Sequence, residues 1–421
     1  MIKTLYSLSA SLRMFIYNSA WTSIMDALAT GALLTAYATA LGANATVIGC
    51  ILAVPYIGNG CQMIGTYLIH KGFSAKKITV IFSFLSRFFY LGCASLVIFP
   101  NLPHRPLWLL FFIASCYILG GIAAGGYYPW LKALLSNQKT LSFIQYKYTF
   151  SKVAYLTGFV LAFFWFKRYT VLSVSVPSAA FIGLFLGAFI SGMLASCSFL
   201  PITAVKINNS QKYFYTALVH IIKQPHFVKL IGLAVLCLFT SFYFFTFLPL
   251  FILKQWQFSV LHLTLLTLLF QAAAIGFVPC WKKINHKHVL LSARYSLWGC
   301  VLISGWLLFH LVPAPSLLIG AILFICAGIL QIGINFAVDA LFLLQAPENN
   351  KAPYFAIISF IKMVAASSIV LAGTGLNWLQ GALGMKQSWQ LFCIISIFNC
   401  LITLYFIYRN HVIFKHNNLI Q

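Results

Sequence analysis

The run Leu317-Leu-Ile-Gly-Ala-Ile-Leu-Phe-Ile-Cys-Ala-Gly-Ile-Leu-Gln-Ile-Gly-Ile-Asn-Phe-Ala-Val338 is 22 residues long and contains no charged side chain. A helix needs about 20 predominantly apolar residues to cross the hydrocarbon core of a bilayer, so this run predicts a membrane-spanning helix. Similar runs recur along the whole chain. Of its 421 residues, 62% are hydrophobic and 7% are charged, whereas a soluble domain carries roughly 25% charged residues. The composition therefore excludes a soluble globular domain.

The apolar runs predict an all-α integral membrane protein with twelve transmembrane helices. The predicted spans are 14–42, 45–69, 78–100, 107–135, 142–166, 175–199, 228–254, 258–281, 289–311, 316–344, 351–379 and 387–408. We expect a six-helix bundle at 1–200, a cytoplasmic loop at 201–227 and a second six-helix bundle at 228–421. The spacing of apolar residues in 211–223 indicates either a short amphipathic helix on the membrane surface or an irregular linker.

Charge is distributed unevenly between the connections. The chain has 27 Lys and Arg residues, three acids and a formal net charge of +24, with no recognised nucleic-acid motif. Twelve spans would put seventeen cations on one side (Lys3, Arg13, Lys71, Lys76, Lys77, Lys132, Lys139, Lys206, Lys212, Lys223, Lys229, Lys282, Lys283, Lys287, Lys351, Arg409, Lys415) and five on the other (Arg105, Lys167, Arg168, Lys254, Lys386). Because cationic loops stay in the cytoplasm, we expect both termini to be cytoplasmic, in a bacterial inner membrane.

Two short patterns occur once in each predicted half. Arg87-Phe-Phe-Tyr-Leu-Gly-Cys93 in the third span matches Arg294-Tyr-Ser-Leu-Trp-Gly-Cys300 in the ninth. Lys152 and Lys362 likewise fall inside similar segments of the fifth and eleventh spans. We therefore predict that the two halves are repeats and that each ionisable residue lies at the same depth as its counterpart.

The connection after the second span, Gly65-Thr-Tyr-Leu-Ile-His-Lys-Gly72, keeps two glycines and a basic character. With the two six-helix halves, it resembles the major facilitator superfamily, whose loop commonly reads G-x-x-x-D-R-x-G-R-[KR]; Ile69 stands where the aspartate would be. The resemblance implies two parallel repeats that work by alternating access. It also implies a gating or structural role for Gly65 and Gly72.

Asp26 lies near the middle of the first span. Ser19, Ser23 and Thr30 share its helix face by their spacing of three and four residues. A charged residue at the bilayer centre costs roughly 2.5–3.5 kcal/mol on insertion scales, so it is a functional candidate by default. Asp26 is therefore a candidate for proton coupling or substrate contact, on a stripe facing a cavity. The alternative is an internal partner for a neighbouring lysine or arginine.

Four cations fall deep in the predicted spans. Lys152 and Lys362 are candidates for binding a carboxylate or phosphate; the alternative is a structural role, satisfied by backbone carbonyls or by Asp26. Arg87 and Arg294 are expected to have gating or structural roles inside the bundles. Against these four stands Asp26 alone, and an anionic substrate would supply the missing charge.

The tenth span carries Gln331, Asn335 and Asp339 at intervals of four residues. Gln331 and Asn335 are candidates for substrate binding, whereas Asp339, near the interface, is a candidate gate contact. The small residues around Gly120–Gly126 in the fourth span have the spacing that allows close approach of helices.

The sequence predicts a secondary active transporter, a symporter or antiporter that moves a small organic anion or zwitterion across the membrane, with proton coupling through Asp26. We expect a monomer that contacts its substrate and the bilayer, binds no nucleic acid and uses no cofactor or metal. No P-loop is present, which disfavours ATP-driven transport. Efflux of lipophilic cations is the nearest alternative, with Asp26 as the counter-ion. A non-transporting receptor or an intramembrane enzyme are alternatives of another class, although we expect no enzyme.

Overall fold

In the computed structural model, residues 9–134, 137–172, 179–205, 223, 225–285, 290–309, 316–344 and 351–415 are described. Their regular elements are α-helices: α1 Ala10–Ala29, α2 Gly31–Ala40, α3 Ala45–Gly60, α4 Gln62–His70, α5 Ala75–Ile98, α6 Arg105–Leu134, α7 Asn137–Leu172, α8 Ala179–Cys197, α9 Pro225–Lys254, α10 Val260–Asn285, α11 Leu291–Phe309, α12 Leu317–Leu344, α13 Lys351–Ala365, α14 Ser367–Leu383 and α15 Met385–Lys415. The central segment predicted to be an amphipathic helix lies outside the described residues.

These fifteen helices form twelve membrane crossings, a crossing being one passage of the chain through the bilayer. Single residues at Thr30, Cys61 and Ala366 interrupt the first, second and eleventh crossings, so that each of these contains two helices. The prediction of twelve transmembrane helices is confirmed, and the chain is an integral membrane protein. Ten crossings are long and apolar enough to span a membrane by length and composition alone. The first and ninth, which carry Asp26 and Arg294, are the two others.

Large apolar side chains cover the outside of the helices. Phe309, Leu302 and Trp378 are 79%, 72% and 71% exposed, as expected for a surface that contacts lipid rather than water. Within a bilayer every backbone polar group must be satisfied inside the protein, and a helix does this within its own segment. The lipid environment thus explains why the described elements are helical.

The chain divides into two compact units. In the first, Met1–Ala43 with Ile51–Lys212, α1 packs against α7 and α8, while α5 packs against α6 and α8. An aromatic cluster joins α1 to α6: the Phe15 ring meets Tyr127 and Trp130 edge to face, with centroids 5.1 and 5.2 Å apart.

A seam of glycines joins the second and fourth crossings in this unit. A Cβ built on Gly121 of α6 would collide with the carbonyl oxygen of Gly58. One built on Gly125 would lie 2.8 Å from the Cα of Gly65 in α4. Small residues let helix backbones approach closely, which gives van der Waals packing where lipid provides no hydrophobic drive. Gly121 and Gly125 are one turn apart on α6, and both face the second crossing.

The second unit comprises Asn44–Cys50 with Tyr213–Gln421. Here α12 packs against α10 and α11, and α15 packs against α9, α11 and α14. The first turns of α3 join this unit, because a Cβ on Gly49 would lie 2.8 Å from the carbonyl oxygen of Ile369 and 3.2 Å from the Cα of Gly373 in α14. Tyr243 and Phe392 stack with centroids 4.5 Å apart and an interplanar angle of 12°.

Candidate functional site

The predicted polar stripe on α1 bonds largely to its own helix. The Ser23 hydroxyl donates to the carbonyl oxygen of Ser19 at 2.8 Å, and the Thr30 hydroxyl donates to that of Asp26 at 2.6 Å. Ser19 is 8% exposed, whereas Ser23, Asp26 and Thr30 are half-buried. The face predicted to line a cavity is therefore buried at its N-terminal end and partly accessible around Asp26.

The first crossing breaks one turn after Asp26. Thr30 is extended, with φ −131° and ψ 176°, and Gly31 has a left-handed φ of +55°. Glycine adopts this conformation without the steric cost that a Cβ adds. The Thr30 hydroxyl also contacts the Tyr155 side chain of α7. A hydroxyl at the break thus links the carbonyl of Asp26 to the neighbouring helix.

The charged group that acts on the Asp26 carboxylate is the guanidinium of Arg87 on α5. The arginine stem passes beside α8, since a Cβ on Gly192 would lie 2.8 Å from Arg87 Cδ and 3.0 Å from Met25 Sδ. Among the described residues, Asp26 and Arg87 form no direct ion pair within 4.0 Å. The Nε of Arg87 is buried and has no hydrogen-bond partner in that part of the chain.

Tyrosines surround this pair of charges. Tyr117 of α6 and Tyr155 of α7 both interact electrostatically with Asp26. Tyr90, three residues after Arg87 on the same face of α5, is fully buried and lies beside Cys116. Sequence reasoning did not select these residues. The spacing of three between Arg87 and Tyr90 was the available signal for Tyr90, whereas Tyr117 and Tyr155 come from other helices and had none.

The two candidate lysines differ in their surroundings. Lys152, the sixteenth residue of α7, is exposed, and its charge is not among those that act on Asp26. Lys362 is half-buried on α13, one turn before the break at Ala366, whose N–H donates to the Lys362 carbonyl oxygen at 3.1 Å. The break at Thr30 in the first crossing thus lies four residues after Asp26, and the break at Ala366 in the eleventh crossing lies four residues after Lys362.

The two candidate arginines lie at different positions along their own helices. Arg87 is the thirteenth residue of α5, whereas Arg294 is only the fourth of α11. Arg294 lies over the ring of Tyr408 on α15, with its guanidinium carbon 4.4 Å from the centroid. The predicted equal depth of this pair stays a prediction, because a position counted from the start of a helix does not give a depth in the membrane.

Gln331 and Asn335 are half-buried on α12. On the same helix, Gly333 lies between them and accepts a hydrogen bond from the Ser292 hydroxyl of α11 at 2.9 Å. The side chain of Asp339 lies outside the described residues, so its predicted gate contact stays a prediction.

The arrangement of helices matches solved structures of membrane transporters over nearly the whole chain. The nucleoside transporter NupG has a TM-score of 0.69 at 12% identity, covering 95% of this chain and 99% of that chain. A POT family transporter in complex with 5-aminolevulinic acid has a TM-score of 0.68 at 14% identity, covering 94% and 95%. A bacterial homologue of the human lysosomal transporter Spinster has a TM-score of 0.69 at 9% identity, covering 96% of each chain. This chain has the major facilitator fold.

No family model and no curated protein matches the sequence. The major facilitator fold is therefore recognised here through its helices rather than through its motifs. The loop motif illustrates the difference. Gly72 has a left-handed φ of +95° after α4, while Ile69, at the aspartate position, is 5% exposed and packs into an apolar cluster with Leu12 and Ile78. The residue at the aspartate position of the motif thus makes an apolar contact in this chain.

Proposed function

We propose that this chain is a secondary active transporter that moves a small organic solute across a membrane by alternating access. The observation that carries this proposal is the half-buried pair of opposite charges, Asp26 and Arg87, beside a helix break in a major facilitator fold. Ionisable residues inside a membrane protein are costly and generally mark pathways for substrates or ions. The similar structures named above are all of transporters.

The substrate that we propose carries a negative group, as an organic anion or a zwitterion. Arg87 compensates the charge of Asp26 within the first unit. Lys152 is exposed in the middle of α7 and has no carboxylate partner among the described residues. Lys362, Gln331 and Asn335 are the corresponding candidates in the second unit. Two of the similar transporters are described by their ligands, nucleosides and the zwitterion 5-aminolevulinic acid.

Transport by reconstituted protein tests this proposal. Proteoliposomes are supplied with uridine, dialanine, 5-aminolevulinic acid or ethidium, with and without an imposed proton gradient. We expect accumulation of a carboxylate-bearing solute. We expect Lys152→Gln to raise its KM by at least about tenfold, because a lost charge-assisted contact is worth roughly 1.5–3 kcal/mol and about 1.4 kcal/mol corresponds to a factor of ten. Lys167→Gln, at an exposed position of the same helix, is the matched control and should leave KM unchanged. Equal KM values for the two variants would contradict the anion site.

Efflux of lipophilic cations remains the second candidate, because Tyr117 and Tyr155 beside Asp26 could hold a cation against their ring faces. The presence of Arg87 next to the same carboxylate disfavours it, since a cationic substrate would be repelled. Extrusion of ethidium without accumulation of any carboxylate would select this alternative.

We further propose a monomer in the cytoplasmic membrane of a bacterium, with both termini in the cytoplasm. The seventeen cations on one predicted side, against five on the other, support this orientation.

A further inference from the structure

The helices α11 and α15 of the second unit pack side by side, and two contacts define how they meet. The Ser304 hydroxyl of α11 donates to the Ser396 hydroxyl of α15 at 3.2 Å. The Arg294 guanidinium carbon lies 4.4 Å from the centroid of the Tyr408 ring. Residue numbers fall along α11 as they rise along α15, so the two helices are antiparallel. The start of α11 therefore lies beside the C-terminal part of α15.

Arg294 lies where the packed part of α11 meets its exposed part. One face of the helix is closed by α12, because a Cβ built on Gly299 would lie 2.5 Å from a methyl carbon of Leu330. Another face carries three large exposed side chains, Tyr295, Trp298 and Leu302. Arg294 is half-buried against α15, and it comes one residue before the first of these exposed side chains. Its guanidinium is thus at the boundary between the helix pair and the lipid-facing surface.

The charge of Arg294 has no carboxylate partner within 4.0 Å among the described residues. Its guanidinium also donates no hydrogen bond to that part of the chain. The face of the Tyr408 ring attracts the cation, but it provides no oxygen acceptor for the N–H donors. A guanidinium stays protonated at all relevant pH values. Arg294 therefore keeps a permanent charge at the lipid-facing boundary, where an anion from outside the chain would complement it.

The surface around Arg294 has a cationic end and an apolar remainder. At the cationic end, Tyr408 is followed by the exposed Arg409, on the side that the distribution of cations predicts to be cytoplasmic. Away from this end, the surface is continued by the exposed apolar side chains of Leu302 on α11 and of Phe398, Leu401 and Ile402 on α15. Basic sites between transmembrane helices on the cytoplasmic side bind anionic lipid headgroups. The headgroup and the acyl chains of one phospholipid match these two parts.

From this geometry we propose that Arg294 binds the phosphate group of an anionic phospholipid on the predicted cytoplasmic side. Tyr408 is a positioning residue, because its ring holds the guanidinium beside the surface and leaves the N–H groups for the phosphate. Arginine pairs with phosphate through two parallel N–H···O bonds. The apolar surface of α11 and α15 packs against the acyl chains. A free phosphate ion would use the guanidinium but not this surface, so the occupant is the lipid.

Native mass spectrometry of the full chain, purified in detergent and titrated with phosphatidylglycerol, measures this binding without any transported solute. We expect Arg294→Gln to weaken the affinity for the lipid by at least about tenfold, the loss that follows from removing a hydrogen bond to a charged group. Tyr408→Leu removes the ring face that holds the guanidinium, so it should also weaken the affinity. Lys283→Gln is the matched control, because it removes an exposed charge of α10 on the same predicted side. It should leave the affinity unchanged.

Two results would overturn the site itself. An unchanged affinity in Arg294→Gln would do so, and it would point to Asp339, whose side chain lies outside the described residues, as the complement of Arg294. Equal weakening in Arg294→Gln and Lys283→Gln would show a general effect of surface charge instead of a site. If Arg294→Gln does not fold, an unchanged affinity in Tyr408→Leu overturns the proposal.

Two further measurements on the wild-type chain test the choice of ligand. Displacement of bound phosphatidylglycerol by an equal concentration of inorganic phosphate would overturn the lipid in favour of a free anion. Equal affinity for phosphatidylcholine, whose headgroup carries its own cation, would overturn the need for a net negative charge. The inference does not rest on the proposed function, because the site uses none of the candidate solute residues and the assay needs no transport.

Discussion

The glycine seam between the second and fourth crossings leads to a quantitative prediction about Gly121. A Cβ at this position would collide with the carbonyl oxygen of Gly58, while a Cβ at the adjacent Gly120 would meet nothing within 4 Å. Both glycines lie in the same turn of α6, so Gly121→Ala and Gly120→Ala make the same chemical change in the same helix. The pair therefore isolates the effect of the collision.

Two terms set the expected magnitude. Alanine favours a helix interior over glycine by about 1 kcal/mol, and this gain is common to both variants. Overpacking a well-packed site costs about 1–3 kcal/mol, and it applies only at Gly121. The upper half of that range is expected because the obstructing atom belongs to the backbone of Gly58, which has no rotamer to change. Gly120→Ala should thus stabilise the chain, and Gly121→Ala should be less stable than Gly120→Ala by about 2–3 kcal/mol.

Reversible unfolding in mixed micelles, with increasing mole fraction of SDS, measures this difference. Gly125→Ala should behave like Gly121→Ala, because its Cβ would lie 2.8 Å from the Cα of Gly65. Equal free energies of unfolding for Gly120→Ala and Gly121→Ala would refute the close approach of these helices. It would also remove the packing role that Gly65 has in the described structure.

Three further predictions concern the charged site and the topology. The double variant Asp26→Asn/Arg87→Gln should unfold at a higher temperature than either single variant, because each single change leaves a half-buried charge without compensation. A double-mutant cycle should give a coupling of about 0.5–3 kcal/mol, and additive shifts would contradict the pairing. Gly31→Val should reduce the rate of solute exchange and lower the unfolding temperature, since a β-branched residue at φ +55° is strained by roughly 1–2 kcal/mol. In a cysteine-free background, Ser74→Cys should be labelled only from the cytoplasm and Pro103→Cys only from outside; labelling of both from one side would exclude the twelve-helix topology.

Loop and motif comparisons from sequence were less informative than periodicity. Ile69 illustrates this: its place in the loop motif indicated a missing aspartate, but only packing shows that it contributes to an apolar cluster with Leu12 and Ile78. The Arg87–Arg294 match predicted equal depth in the two halves, and this stays a prediction. The cation–π contact of Arg294 with Tyr408 joins residues more than 100 positions apart, and no local pattern indicates such a pair.

The sequence by itself determined the membrane class and the number of crossings, because the thickness of the hydrocarbon core imposes one length and one composition on every spanning segment. It also identified Asp26 as exceptional, since a carboxylate inside such a segment is costly wherever it lies. Only the tertiary structure decided which cation stands beside it. Sequence reasoning left Asp26 with any neighbouring lysine or arginine as its partner, whereas the packing of α1 against α8 and of α8 against α5 brings Arg87 to Asp26 and leaves Lys152 exposed. Which cation lies near Asp26 depends on which helix faces meet across the bundle. The local sequence does not specify this, because the apolar faces of the helices are similar in composition.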